Sequence, residues 1–198
     1  MQSMFTLAMH HKKTNRKLKQ KNPALQYRRK EGIQKMGYQS VNEIDKFSFE
    51  DCKISEFQVK EKQIDMELEA LIVKPDNSQN TNYTESYAGT TKMRLTGGKI
   101  LSGIKDGFKY YDANDVLIKE VPDQPLTPEQ LEKFPKTCEG AFLFSMVKTK
   151  EEDNIYYYEM GIEFEDEEDN TVADSYQLSV SFEKAVFTWE QYLNRVQR

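Results

Sequence analysis

Histidine is missing from most of this chain. Of its 198 residues only His10 and His11 are histidines, and both lie near the start. From Phe47 onward there is no imidazole for a Ser-His-Asp or Cys-His arrangement, which excludes the commonest nucleophilic chemistries from that part. Cysteine is almost as scarce. Cys52 and Cys138 stand far apart, and neither has a Cys-x-x-Cys neighbour. Two cysteines with no histidine nearby do not make a zinc site, nor do they form a secreted disulfide framework. They read as ordinary thiols of a reducing compartment.

Long apolar runs are lacking too. No stretch approaches the roughly 20 apolar residues that cross a bilayer. The apolar start, Met1 to Met9, is followed by its charges instead of being preceded by them, unlike a secretory signal. These features predict a cytoplasmic protein with no membrane contact. Glycine-rich phosphate motifs are also absent. Thr96-Gly97-Gly98-Lys99 lacks the spacing of a phosphate-binding loop and falls between strands, so it reads as a plain turn. No cofactor is therefore expected.

Charge is present, and it is unevenly spread. Residues 1–46 hold eleven Lys or Arg against three acids, a net of +8 within a chain of net −5. The remainder, 47–198, is left with seventeen bases against thirty acids, a net of −13. Such a contrast suggests a charged tail beside a folded body. The tail is polar, is interrupted at Asn22-Pro23, and offers only a thin apolar stripe at Leu25, Tyr27 and Ile33. It is expected to be a disordered or loosely docked extension over 1–46. Met36 is a second candidate start, so the first 35 residues could be an extension that the folded body does not need. Lys12, Lys13, Arg16, Lys17, Arg28, Arg29 and Lys30 are its candidate anion-binding residues, through which nucleic acid could be held.

The body, 47–198, is rich in strand-forming residues. The chain has 11 Phe and 11 Tyr, whose large areas offset a hydrophobic fraction of only 37%. Ile64, Met66, Leu68 and Ala70 alternate with charged residues, the period of a half-buried strand, and pair with the run from Cys52 as a hairpin. Lys74 to Asn82 is a polar loop, and Thr91 to Leu95 a short strand closed by Gly97-Gly98. Phe108 to Tyr111 and Val116 to Ile118 flank Asp112-Ala113-Asn114-Asp115 as another hairpin whose turn tolerates left-handed angles. Ala141 to Val147 reads as a central strand, followed by strands over Ile155 to Phe164 and Tyr176 to Phe182. One short helix is expected near 127–134, with Thr127 as N-cap, Pro128 in the first turn and Gln130 completing a capping box. Trp189 to Leu193 is expected to be a final helical turn. With no repeating βα unit, the pattern predicts a mainly β fold: an antiparallel sandwich or barrel of seven to nine strands.

Carboxylates are abundant but unspecific. Neither the acidic loop from Glu165 to Asp169 nor the Asp112–Asp115 group has the ligand ladder of a calcium loop. In the run Tyr156-Tyr157-Tyr158, Tyr156 and Tyr158 share one strand face. With Glu165, Asp166, Glu167 and Glu168 they form a candidate protein-binding patch, aromatic and rimmed by acids. The plainer reading is a set of cross-strand pairs that stabilise the sheet. The sequence points to a non-enzymatic interaction domain of the inhibitor or immunity type, binding a basic protein partner. A small-ligand β-barrel carrier and nucleic-acid binding through the tail are the alternatives.

Overall fold

A computed structural model describes residues 37–165 and 173–196. The chain divides into Met1–Lys35 and Met36–Arg198, and all described residues belong to the second unit. Lys12, Lys13, Arg16, Lys17, Arg28, Arg29 and Lys30 lie outside the described residues, as do Asp166, Glu167 and Glu168.

The body is mainly β and its sheets are antiparallel. Its strands are β1 (Tyr38–Val41), β2 (Phe47–Ser48), β3 (Lys53–Lys60), β4 (Gln63–Glu69), β5 (Ile72–Val73), β6 (Ser86–Ala88), β7 (Thr91–Thr96) and β8 (Lys99–Lys105). Then follow β9 (Phe108–Tyr111), β10 (Leu117–Val121), β11 (Gln124–Pro125), β12 (Phe142–Glu152), β13 (Ile155–Glu163), β14 (Ser175–Phe182), β15 (Lys184–Trp189) and β16 (Tyr192–Arg195). Helix α1 (Pro128–Lys133) lies between β11 and β12, with short 3-10 turns at Ile44–Lys46 and Phe134–Thr137. Ten strands form one sheet in the order β1-β15-β7-β4-β3-β12-β13-β14-β8-β11, four form a second in the order β16-β6-β5-β2, and β9 and β10 pair alone.

Alternation explains the large sheet. Along β4 Ile64, Met66 and Leu68 point inward, and along β7 Thr91, Met93 and Leu95 do the same. Charged partners meet on the outer face, where Arg94 Nε donates to Asp65 Oδ1 at 2.8 Å. The tight link between β12 and β13 uses Asp153 and Asn154, both at positive φ (52° and 61°), as two-residue hairpins require. Helix α1 carries the expected cap: Thr127 accepts from the Gln130 backbone while the Gln130 side chain accepts from Thr127 N.

Two long runs, Thr91–Lys105 and Ser175–Trp189, bend together at one corner. β7 passes into β8 at Gly97-Gly98, and β14 passes into β15 at Glu183. Neither passage is a hairpin, because β7 pairs β15 and β8 pairs β14. The register runs through the bend unbroken: Lys184 faces Thr96, Ser181 faces Lys99, and Glu183 N donates to Thr96 O at 2.9 Å.

Where the chain leaves this sheet, the second begins. Ala70 takes φ 57° and ends β4, and Leu71, Ile72 and Val73 plunge into the core. An aromatic cluster joins the two layers. The Trp189 ring stacks on Tyr38 at 5.4 Å and meets Phe47 and Tyr192 edge-on at 6.0 and 5.8 Å. The polar loop after β5 is tied down by its own asparagines. Asn80 Nδ2 donates to the carbonyls of Val73, Lys74 and Thr84, and buried Asn77 donates to Ser40 Oγ at 3.2 Å.

Three expectations change. The body does not begin at Phe47, since Tyr38–Val41 pairs with Val186–Trp189 at the edge of the large sheet. Among the described residues the strands number sixteen, not seven to nine, because short pieces such as β2, β5 and β11 show no local periodicity. Trp189 to Leu193 forms no helical turn. Trp189 closes β15 and Tyr192 opens β16, paired with Ala88, so tertiary pairing of two aromatic strand formers prevails.

A Cβ at Gly98 would lie 2.6 Å from Leu95 O and 3.0 Å from Ile64 N, both backbone atoms that cannot move aside. Gly98→Ala is expected to destabilise the body by about 2 kcal/mol, as overpacking does, measured by urea unfolding. Trp189→Ala, which empties the junction of the two sheets, is expected to cost roughly 4 kcal/mol in the same assay.

Candidate interaction surface

Large apolar side chains are most concentrated at the surface on the β9–β10 hairpin. Phe108 faces Val121, Lys109 faces Glu120, Tyr110 faces Lys119 and Tyr111 faces Leu117, with a bulge at Ile118. No strand of either larger sheet pairs with the hairpin among the described residues. Neither of its outer edges is therefore paired with a strand of those sheets. Ile118 is 64% exposed, Val116 58% and Tyr111 51%, and Tyr110 and Leu117 are exposed as well. A two-stranded ribbon is marginal by itself in water, so its local supports matter.

Those supports are visible. Asp112 Oδ1 accepts from Asn114 N at 2.8 Å and Val116 N at 2.9 Å. Asp115 N donates to Asp112 O, and Asp115 adopts φ 59°, the left-handed angle that the turn requires. The two backbone N–H groups, Val116 first and then Asn114, hold the Asp112 carboxyl below the usual carboxylate range. Lys109 pairs with Glu120 at 3.0 Å, and Lys119 lies over the Phe108 ring at 5.4 Å. At the base, Gly107 N donates to Asp123 Oδ1 at 2.8 Å. A Cβ at Gly107 would fall 2.1 Å from Val121 O, so only glycine lets the chain cross there.

The electrostatics around the hairpin are one-sided. Residues 106–123 carry five carboxylates (Asp106, Asp112, Asp115, Glu120, Asp123) against Lys109 and Lys119, a net of −3. Both lysines already have partners within the hairpin. The result is an apolar crown in a negative field.

The tyrosines singled out from the sequence sit elsewhere. Tyr156 and Tyr158 are half-buried and pack on Phe182, with ring centroids 5.8 and 5.2 Å away. They belong to the edge of the core. Tyr157 points to the other face, where Lys150 lies 4.3 Å from its ring. Glu165 is exposed beyond the opposite end of β13, so the structure does not bring it together with Tyr156 and Tyr158. Sequence reasoning found the hairpin but not its exposure. No local signal marked that exposure, since a run such as Val-Leu-Ile reads equally well as a buried strand.

Other concave places are less distinctive. A groove of about 420 Å³ runs over the outer face of β3, β4, β7, β15 and β1, but its charges balance, with Glu56, Asp65 and Glu67 against Lys60, Lys92 and Arg94. Another of about 420 Å³, beside Gly98, α1 and the β3–β4 turn, has an apolar floor of Ile100, Leu131 and Pro135. The inward positions of the large sheet are filled by side chains such as Ile54, Leu95, Leu143, Ile162 and Phe182. Among the described residues no group of three or more His, Cys, Asp or Glu is placed to hold a metal ion, and no helix is long and apolar enough to cross a membrane.

Comparison with family models, curated proteins and solved structures finds no match for this chain.

Both cysteines are free and buried, and burial pushes each thiol up to about 12. A thiol held neutral is a poor nucleophile. A thiol-specific chromogenic reagent is expected to label Cys52 and Cys138 only as the body unfolds. Labelling of either at native conditions, faster than global unfolding, contradicts this.

Proposed function

We propose that the body is a non-catalytic protein-interaction domain that engages a basic partner through the β9–β10 hairpin. One observation carries the reading: Tyr110, Tyr111, Val116, Leu117 and Ile118 stand exposed together on a two-stranded ribbon, within a segment, 106–123, of net charge −3. Contiguous exposed apolar residues on a soluble surface mark interaction sites. Tyrosine is a frequent anchor in such sites. The wider negative charge of the body steers a cationic protein toward it and speeds encounter. The absence of histidine beyond His11 agrees with a role that requires no acid–base pair. We read the bent ladder at Gly97-Gly98 as giving the large sheet a barrel-like wrap, which would serve here as a rigid mount for the hairpin.

The test begins with a photo-crosslinking residue at position 118, with a second at exposed Val147 as control. Proteins crosslinked at 118 but not at 147 are purified and titrated against the full chain at low and high salt. The double variant Tyr111→Ser, Ile118→Ser is expected to weaken the complex by about thirtyfold, the loss of roughly 2 kcal/mol of anchoring. Its unfolding midpoint is expected to stay within a degree or two, since surface changes typically shift stability by about 0.5 kcal/mol or less. Unchanged affinity, or binding indifferent to salt, overturns the proposal.

A further inference from the structure

The strand edges of this body are unequal, and the inequality indicates how a partner would attach. An exposed edge presents unpaired N–H and C=O groups that recruit another strand, and most proteins blunt such edges. The large sheet ends in β11, two residues long and closing on Pro125, and in β1, which turns away at Asn42 with φ 55°. The second sheet ends in two-residue β2 and in β16, whose register breaks between Tyr192 and Arg195. Within the hairpin, β10 is guarded by the bulge at Ile118, the charge of Lys119 and the proline at 122. β9 contains no bulge and no proline. Three of its four residues are aromatic, and its one charge, Lys109, is neutralised across the ribbon by Glu120.

We propose that the outer edge of β9 receives an extended segment of the partner by strand addition, and that this segment alternates apolar with cationic residues. The inference rests on the reading of the hairpin as the partner-binding element and states its mode. Backbone hydrogen bonds to Phe108–Tyr111 supply register, and side chains supply selectivity. Phe108 and Tyr110 share one face of β9, and Tyr111 lies on the other beside Leu117, so an alternating strand meets aromatic surface on both sides. A lysine or arginine next to Tyr111 lies over an exposed ring and close to the acids of the Asp112–Asp115 turn. An acidic segment would meet the field of five carboxylates and be repelled. Adding a third strand also gives the ribbon the partner that a two-stranded sheet lacks.

The test uses the full chain and three synthetic peptides: one alternating lysine with valine, one alternating glutamate with valine, and the lysine peptide N-methylated at every peptide nitrogen, so that neither of its edges can pair. Titration is expected to show saturable binding of the lysine peptide, weakened by salt, with the other two at least about tenfold weaker, a difference of roughly 1.4 kcal/mol. Hydrogen exchange is expected to slow at the β9 amides and not at those of β1 or β16. Equal binding of the plain and N-methylated peptides overturns strand addition, because a face contact does not need those donors. Protection on another edge, or no binding of the lysine peptide, overturns it also. The broader function stands or falls separately. If the partner crosslinked at position 118 still depends on Tyr111 and Ile118 while the peptides fail, only the edge mode is lost.

Discussion

One bent ladder carries the architecture. Thr91–Lys105 and Ser175–Trp189 pair on both sides of the corner at Gly97-Gly98 and Glu183, in one register from Thr91 to Ile100 and with a shift only beyond Val180. On one side the ladder gives β7 to β4 and β15 to β1; on the other it gives β14 to β13 and β8 to β11. Both ends of the ten-stranded sheet therefore hang from a single pair of strands. The bend sets which residues face inward on each side, so Met93 and Leu95 before it and Leu178, Val180 and Phe182 beyond it reach one core. Because a strand has period two, a slip of one residue at the corner would turn both inward sets outward. Glycine at position 98 belongs to this constraint, since the turn passes against the backbone of β4.

The rest of the body secures that frame to the smaller sheet and leaves one element unburdened. Trp189, Phe187 and Tyr38 on the large sheet meet Phe47 and Tyr192 on the small one, with Phe47 and Phe187 only 4.4 Å apart. Tyr192 OH donates to Gln79 O at 3.0 Å, which draws the asparagine-rich loop into the same junction. Burial pushes the Tyr192 phenol up to about 12, consistent with its role as a neutral donor there. The β9–β10 hairpin takes part in none of this. Its apolar residues do not join the core cluster, and its turn is held by Asp112 alone. Surface apolar area that the fold does not use is what supports the proposal of a partner there.

Much of this was legible in the residues, and the rest was not for identifiable reasons. Alternation at Ile64, Met66 and Leu68 marked β4 directly, and the turn residues Asp112 to Asp115 marked the hairpin. The capping box at Thr127 and Gln130 located α1. Each of these is a local signal. Tyr38–Val41 is four residues long, and the strand that orders it, Val186–Trp189, lies at the far end of the chain. No window around Tyr38 contains that information, so the body was expected to start later. Trp189 and Tyr192 misled for the same reason: their partners are Thr91, Tyr38 and Ala88. The candidate site shows a related gap. Periodicity separates two faces of a strand but does not say whether either one is covered. Tyr156 and Tyr158, read either as a candidate patch or as pairs that stabilise the sheet, lean on Phe182, while Tyr110 and Tyr111 are exposed.

The pairing of β1 with β15 has a mechanical consequence. Tyr38 faces Trp189, so the point where the chain enters the body lies beside the point where it passes toward β16, with the Tyr38 and Tyr192 rings 4.8 Å apart. Tension applied at these two places would act at the same end of an antiparallel pair. The hydrogen bonds there would then be loaded one after another, as in a zipper, instead of all together in shear. A body so arranged yields to a gentle pull from its edge inward. Because β15 is the neighbour of β1, the bent ladder would be the next part to bear the load.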